Sequence, residues 1–92
     1  MKLKFEWDEV KAMTNLKKHK VNFEEGKTVF NDPRLVTIAD FDNSEVEERF
    51  INIGLSAKGR ILVLIHTERK GRIRIISCRK AAKRERKYYE ED

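Results

Sequence analysis

Cysteine, proline and long apolar runs are nearly missing from this chain, and each shortage removes a class of protein. The single cysteine, Cys78, has no partner in the chain for a disulfide, and no Cys/His spacing matches a zinc site. A reducing compartment is expected. The longest apolar run is "ILVLI" at residues 61–65, far below the roughly 20 residues that a membrane-spanning helix needs. The opening "MKLKFEWDEV" lacks the apolar core of a secretory signal, so a cytoplasmic location and no membrane partner are expected. There is no Gly-rich phosphate cradle and no nucleophile elbow. The acids of "DFDNSEVEE" have neither the spacing nor the terminal Glu of a calcium loop. No metal or cofactor is expected, and any catalysis falls to His, Arg, Lys, Glu and Tyr.

What the chain has in abundance is charge, unevenly placed. At 92 residues, with 40% charged and 39% hydrophobic side chains, residues 1–92 are expected to form one domain with a modest core and a crowded ionic surface. In "RKGRIRIISCRKAAKRERKYYE", residues 69–90, ten Lys/Arg stand against Glu85 as the one acid before the tail, a local net charge of +9. Residues 1–68 carry eleven basic and twelve acidic side chains. The basicity is therefore local, and it points to an anionic partner.

Periodicity places these charges. Leu3, Phe5 and Trp7 alternate with Lys2, Lys4 and Glu6, as in a half-buried strand. Asp8 reads as an N-cap, with Trp7 and Ala12 in the positions of a hydrophobic staple. A helix is predicted over 9–19, with Ala12, Met13, Leu16 and His19 on one face. Asn22 caps a second, short helix that stops before Pro33. Strands follow at "LVTIA", "RFINIGLS", "RILVLIHT" and, after a hairpin around Gly71, "IRIISC". In the third of these Ile61, Val63 and Ile65 oppose Leu62, Leu64 and His66; both sets are apolar enough to mark a central strand covered on both faces. In the fourth, strict alternation sets Ile73, Ile75 and Ser77 against Arg74, Ile76 and Cys78. A basic helix ends the chain. The predicted class is α+β: an N-terminal strand and two helices, a four-stranded, mostly antiparallel meander, and a C-terminal basic helix. A helix pair covers one sheet face, leaving the other partly open near Arg74, His66 or Arg79 according to the register.

Ten cations beside two tyrosines supply the ingredients for nucleic acid: phosphate neutralisation by Arg72, Lys80, Lys83, Arg84 and Lys87, and stacking surfaces from Tyr88 and Tyr89. A tyrosine at helical spacing from Ala81 or Ala82 serves equally well as core. His66 is the candidate for proton transfer, since imidazole titrates near neutrality; the competing role is a hydrogen-bonded packing residue. His19 at a helix C-terminus has a sufficient structural role. Arg49, Arg74 and Arg79 can each present a guanidinium to a phosphate in flight, or end in salt bridges with Glu45, Glu47, Glu48 or Glu85. Glu85 is a helix pairing partner or a general base. RNA carries its own nucleophile, the 2′-OH, so such a set suffices for its cleavage.

The segments "FEWDE", "NLKKH" and "FEE", together with "IRIIS", "RKA" and "RER" before the tyrosines, resemble the BrnT family of bacterial type II toxins, from Phe5 to about Tyr89. That resemblance implies a RelE-like fold and a metal-independent ribonuclease activity that arrests translation and growth. It also implies neutralisation by a BrnA antitoxin that binds operator DNA. By position it implies His66, Arg49, Arg74, Arg79 and Glu85 around the scissile phosphate, with Tyr88 or Tyr89 nearby. Two departures stand out. Members often have Gly after "NLKKH", where the helix end needs positive φ, so Lys20 must bear that conformation or the cap must differ. A small residue often precedes "RKA", and Cys78 is an oxidisable replacement. A noncatalytic module that holds nucleic acid or an acidic protein with its basic helix is the competing expectation.

Overall fold

A computed structural model describes residues 2–43 and 47–91; Glu45, one of the acids considered for Arg49, lies outside them. Strand β1 (Phe5–Glu6) leads directly into helix α1 (Glu9–His19), which starts where Asp8 Oδ1 accepts the backbone N–H groups of Val10 and Lys11. The helix stops at Lys20, a non-glycine residue in the left-handed region at φ 60°, whose N–H closes on the Leu16 carbonyl at 2.9 Å. Lys20 thus bears the conformation for which glycine is the easier residue. Asn22 caps the four-residue helix α2 (Phe23–Gly26) by accepting the Glu25 N–H at 2.7 Å, and a 3₁₀ turn carries the chain over Lys27–Asn31 to Pro33.

Strands β2 (Val36–Ala39), β3 (Arg49–Leu55), β4 (Ile61–Arg69) and β5 (Arg72–Lys80) form the antiparallel meander, and helix α3 (Lys83–Glu91) follows. The sheet has five strands rather than four, because β1 adds to β5 in parallel with Phe5 opposite Ile73 and Glu6 opposite Arg74. The order β1-β5-β4-β3-β2 makes β4 the middle strand. At the tip between β4 and β5, Lys70 and Gly71 both take positive φ (53° and 76°), the geometry of a tight two-residue hairpin. The α+β class is as read from the residues. Among the described residues no helix is long and apolar enough to cross a membrane.

Two cores lie on opposite sides of the sheet. One packs Leu62, Leu64, Ile73, Ile75 and Cys78 under Val21, Phe23 and Val29, with Phe5, Trp7, Ala12 and Phe30 against it. The other packs Val36, Ile53 and Val63 under Tyr89, flanked by Ile51, Ile61, Ile65 and Ala81. Helix α3 therefore covers part of the face that α1 and α2 leave bare. Of the face expected over Ala12, Met13, Leu16 and His19, Ala12 packs against the core but Met13 and Leu16 are exposed, while Asn15 is buried. Its amide meets the main chain of Cys78, accepting the N–H at 3.1 Å and donating to the carbonyl at 2.7 Å, and it also donates to Val21 O at 2.9 Å. Cys78 is opposite Leu64 of β4 but turns both backbone polar groups away from it, beyond the end of β1. Asn15 stands in for the strand that is missing there, as a buried main-chain group requires.

Glu25 is drawn away from the helix cap to a buried site, where it accepts from Ser56 Oγ at 2.7 Å and from Arg60 Nε at 2.9 Å, with a second contact to Arg60 Nη2. The Arg60 hydrogen bond holds the Glu25 carboxyl below the usual range.

Candidate active site

A single backbone irregularity decides which side chains share a face. Along β4 and β5, Ser77 is opposite Ile65 but Ile75 is opposite His66, so Ile76 is an extra residue in β5. Side chains alternate with period two, and one inserted residue reverses the faces beyond it. Ile73, Ile75 and Cys78 consequently share the face under α1 and α2. Ser77 does not join Ile73 and Ile75, which corrects the strict alternation expected from the sequence. The same reversal brings Arg74 onto the face that carries Arg79. Without it, residues five apart in one strand would point to opposite sides.

Arg49 joins them. It is opposite Thr67 on one side, and Arg74 is opposite Thr67 on the other, which sets the two arginine backbones about 10 Å apart across three strands. Thr67 itself is buried, its hydroxyl donating to Glu48 O at 2.6 Å. Arg74 Nη1 donates to Glu6 Oε2 at 3.0 Å, and Arg72 Nη1 lies 3.8 Å from Glu6 Oε1. Arg79 sits opposite Val63, toward α3, and is gripped in a fork: Nη1 to Glu85 Oε1 and Nη2 to Glu85 Oε2, each 2.7 Å. Glu85 Oε1 also accepts the Ala82 N–H at 2.8 Å. That contact closes the first turn of α3, where Ala82 has no side-chain oxygen of its own to offer. The Arg79 hydrogen bonds hold the Glu85 carboxyl down, and Glu85 pushes the Arg79 guanidinium further up. Glu85 is thus a cap and a clamp, and both duties favour its ionised form.

Lys80, Lys83, Arg84, Arg86 and Lys87 are exposed, and among the described residues none has a carboxylate within salt-bridge distance. Lys83, Arg84, Arg86 and Lys87 belong to α3, which packs on the face that carries Arg79, whereas Lys80, opposite Leu62, alternates to the other face at the end of β5. Arg72 is exposed near the hairpin. Tyr88 is half exposed at 52%, free to present its ring.

Two expected members fall elsewhere. His66 is 3% exposed and lies on the opposite face, its ring stacked on Phe50 at 5.0 Å between centroids and set edge-on to Phe30 at 5.5 Å. Asn52 Nδ2 donates to its Nδ1 at 2.7 Å, so the ring proton sits on Nε2, 3.7 Å from Glu68 Oε2 and beyond hydrogen-bond distance. Asn52 is itself oriented by Thr37 Oγ1 and by Leu64 O. Burial pushes the His66 pKa down against the pull of Glu68. His66 is therefore packed among aromatic rings on the face opposite Arg74 and Arg79. Tyr89 is likewise core: it is 7% exposed, with its hydroxyl donating to Asp32 Oδ2 at 2.6 Å. Its ring is buried in one cluster with Val36, Ile53 and Val63, and the Arg34 guanidinium lies 5.8 Å from the ring centroid. Cys78, expected to be oxidisable, is fully buried with its thiol pushed up to about 12 by desolvation.

Reading the sequence missed Glu6 and Asn15. A glutamate in a strand of alternating charge gives no sign of its partner; the "FEWDE" segment carried it unremarked. Among the described residues, no three His, Cys, Asp or Glu side chains are grouped so as to hold a metal.

A family model described as the ribonuclease toxin BrnT of type II toxin–antitoxin systems matches residues 7–85. The 1.1 Å crystal structure of the Brucella abortus ribonuclease toxin BrnT is similar with a TM-score of 0.65, covering 89% of this chain and 100% of that one. Identity there is 22%, so the likeness is one of fold. No curated protein matches this chain.

Proposed function

The chain belongs to the BrnT family of type II toxin–antitoxin ribonuclease toxins, and from that membership we propose that it is a metal-independent endoribonuclease that cuts RNA through its 2′-OH and so arrests translation and growth. Residues 1–92 act as one toxin domain in the cytoplasm. A BrnA-like antitoxin neutralises it, and operator DNA is reached only through that complex.

One observation supports the assignment of residues: the extra residue at Ile76 sets Arg74 on the same face as Arg49 and Arg79, beside the cations of α3. In the cleavage step the 2′-oxygen attacks phosphorus, the 5′-oxygen leaves, and negative charge gathers on the non-bridging oxygens. Guanidinium groups fixed on a rigid sheet stabilise that charge better in the transition state than in the substrate. Glu85 positions Arg79, and Lys80, Lys83, Arg84, Lys87 and Tyr88 hold the flanking RNA, with Arg72 at the far end. With His66 on the other side of the sheet, solvent accepts and returns the proton.

Antitoxin-free protein incubated with RNA in excess chelator should release fragments ending in a 2′,3′-cyclic phosphate. Arg79→Ala should slow cleavage by about 10² or more, the usual cost of one oxyanion donor. Intact RNA would refute the activity. Salt-dependent binding of that intact RNA would identify a noncatalytic module instead.

A further inference from the structure

We propose that Glu6 is the positioning residue for Arg74, holding its guanidinium ready for phosphate; the role rests on the nuclease activity proposed above. Strand β1 has only two residues, yet it is fixed in register by Phe5 opposite Ile73, Glu6 opposite Arg74 and the Ile73 N–H on Lys4 O at 2.8 Å. Alternation sends the Phe5 ring into the core, 5.4 Å from Phe30, and Glu6 to the arginine face.

There, the two carboxylate oxygens face different guanidinium groups, Oε2 toward Arg74 at 3.0 Å and Oε1 toward Arg72 at 3.8 Å. One negative charge between two positive ones leaves this corner cationic. Arg79 differs, since both its terminal nitrogens are taken up by Glu85. Arg74 uses only Nη1; among the described residues its Nε and Nη2 donate to nothing. Its side chain is 28% exposed and Glu6 is 25% exposed, so the pair is neither sealed in nor loose in water. An arginine with one N–H tied down and its Nε and Nη2 groups left over is oriented before the ligand arrives, and a phosphate can be gripped at lower entropic cost.

The test compares Glu6→Ala, Glu6→Gln, Arg74→Ala and the Glu6→Ala/Arg74→Ala double variant in single-turnover RNA cleavage. Guanidinium ¹⁵N relaxation of Arg74 is measured in parallel on the free proteins. Glu6→Ala should lower the cleavage rate about 10-fold or more, the scale expected when a reacting group is misplaced. Glu6→Gln should recover most of the rate, because its amide oxygen still accepts from Nη1. Adding Glu6→Ala to Arg74→Ala should change nothing further. Equal losses in Glu6→Gln and Glu6→Ala, or an undiminished Glu6 effect in the double variant, would overturn the positioning role. If the wild type cleaves no RNA, the nuclease assignment fails by itself. The relaxation data still decide the contact: Arg74 should be restrained in wild type and Glu6→Gln and averaged in Glu6→Ala, and averaging in the wild type would overturn the proposal.

Discussion

Replacing Asn15 by alanine should be among the most damaging single changes in this protein. Asn15 is 7% exposed and makes three main-chain hydrogen bonds, two of them to Cys78 and one to Val21, both of which are fully buried. Alanine would leave one N–H and two carbonyls without partners. A stranded buried N–H costs about 1–3 kcal/mol and the carbonyls somewhat less, so a total near 3–4 kcal/mol is expected. That is a large share of the roughly 5–15 kcal/mol that holds a domain folded. For a chain of this size it lowers the melting temperature by roughly 15–25 °C. Asn15→Asp keeps the acceptor for the Cys78 N–H but turns an oxygen toward two carbonyl oxygens. At pH 7 it should be at least as destabilising as alanine. Thermal unfolding followed by circular dichroism measures both. An Asn15→Ala protein melting within about 3 °C of wild type would mean that the amide does not substitute for a strand at the edge of β5.

Two further outcomes follow from buried groups. Since the His66 pKa is lowered in the fold, the unfolded chain takes up its proton first; the stability His66 contributes is whole above about pH 6.5 and declines as pH falls below it. Urea titrations from pH 7 to 5 should show that decline in wild type and a flatter profile in His66→Leu, while His66→Gln should keep most of its RNA cleavage; loss of cleavage on the scale of Arg79→Ala would return the ring to the reaction. Cys78, with its thiol at about 12, should resist alkylation by iodoacetamide in the folded protein at pH 8 and react once urea unfolds it; fast labelling of the native protein would show that α1 opens from β5.

Much of the architecture was legible because its signals are local. Asp8 before a run with helical spacing marks the start of α1, and the run itself reaches about His19, where the helix ends; apolar side chains on both faces of 61–66 mark β4 as the middle strand. The features that assemble the site are of another kind. An inserted residue at Ile76 leaves no trace in hydropathy, since Ile75 and Ile76 are both apolar and either register keeps an isoleucine inside. Asn15 looks like an ordinary surface residue of "NLKKH", and only the short reach of β1 explains why a polar amide is buried there. Composition could name the arginines but not their face. It could not tell a catalytic His66 from one packed between two phenylalanines, because both fit a histidine at the end of a buried strand.

Helix α3 has nine residues, shorter than the ~12–15 at which isolated helices become even marginally stable. Its shape is lent to it by two fastenings, Glu85 to Arg79 near the start and Tyr89 to Asp32 near the end. Between them Arg86 and Lys87 crowd like charges onto one short rod. Anything anionic that settles along it relieves that repulsion, so coverage of this face by a partner adds stability to the helix as it stands.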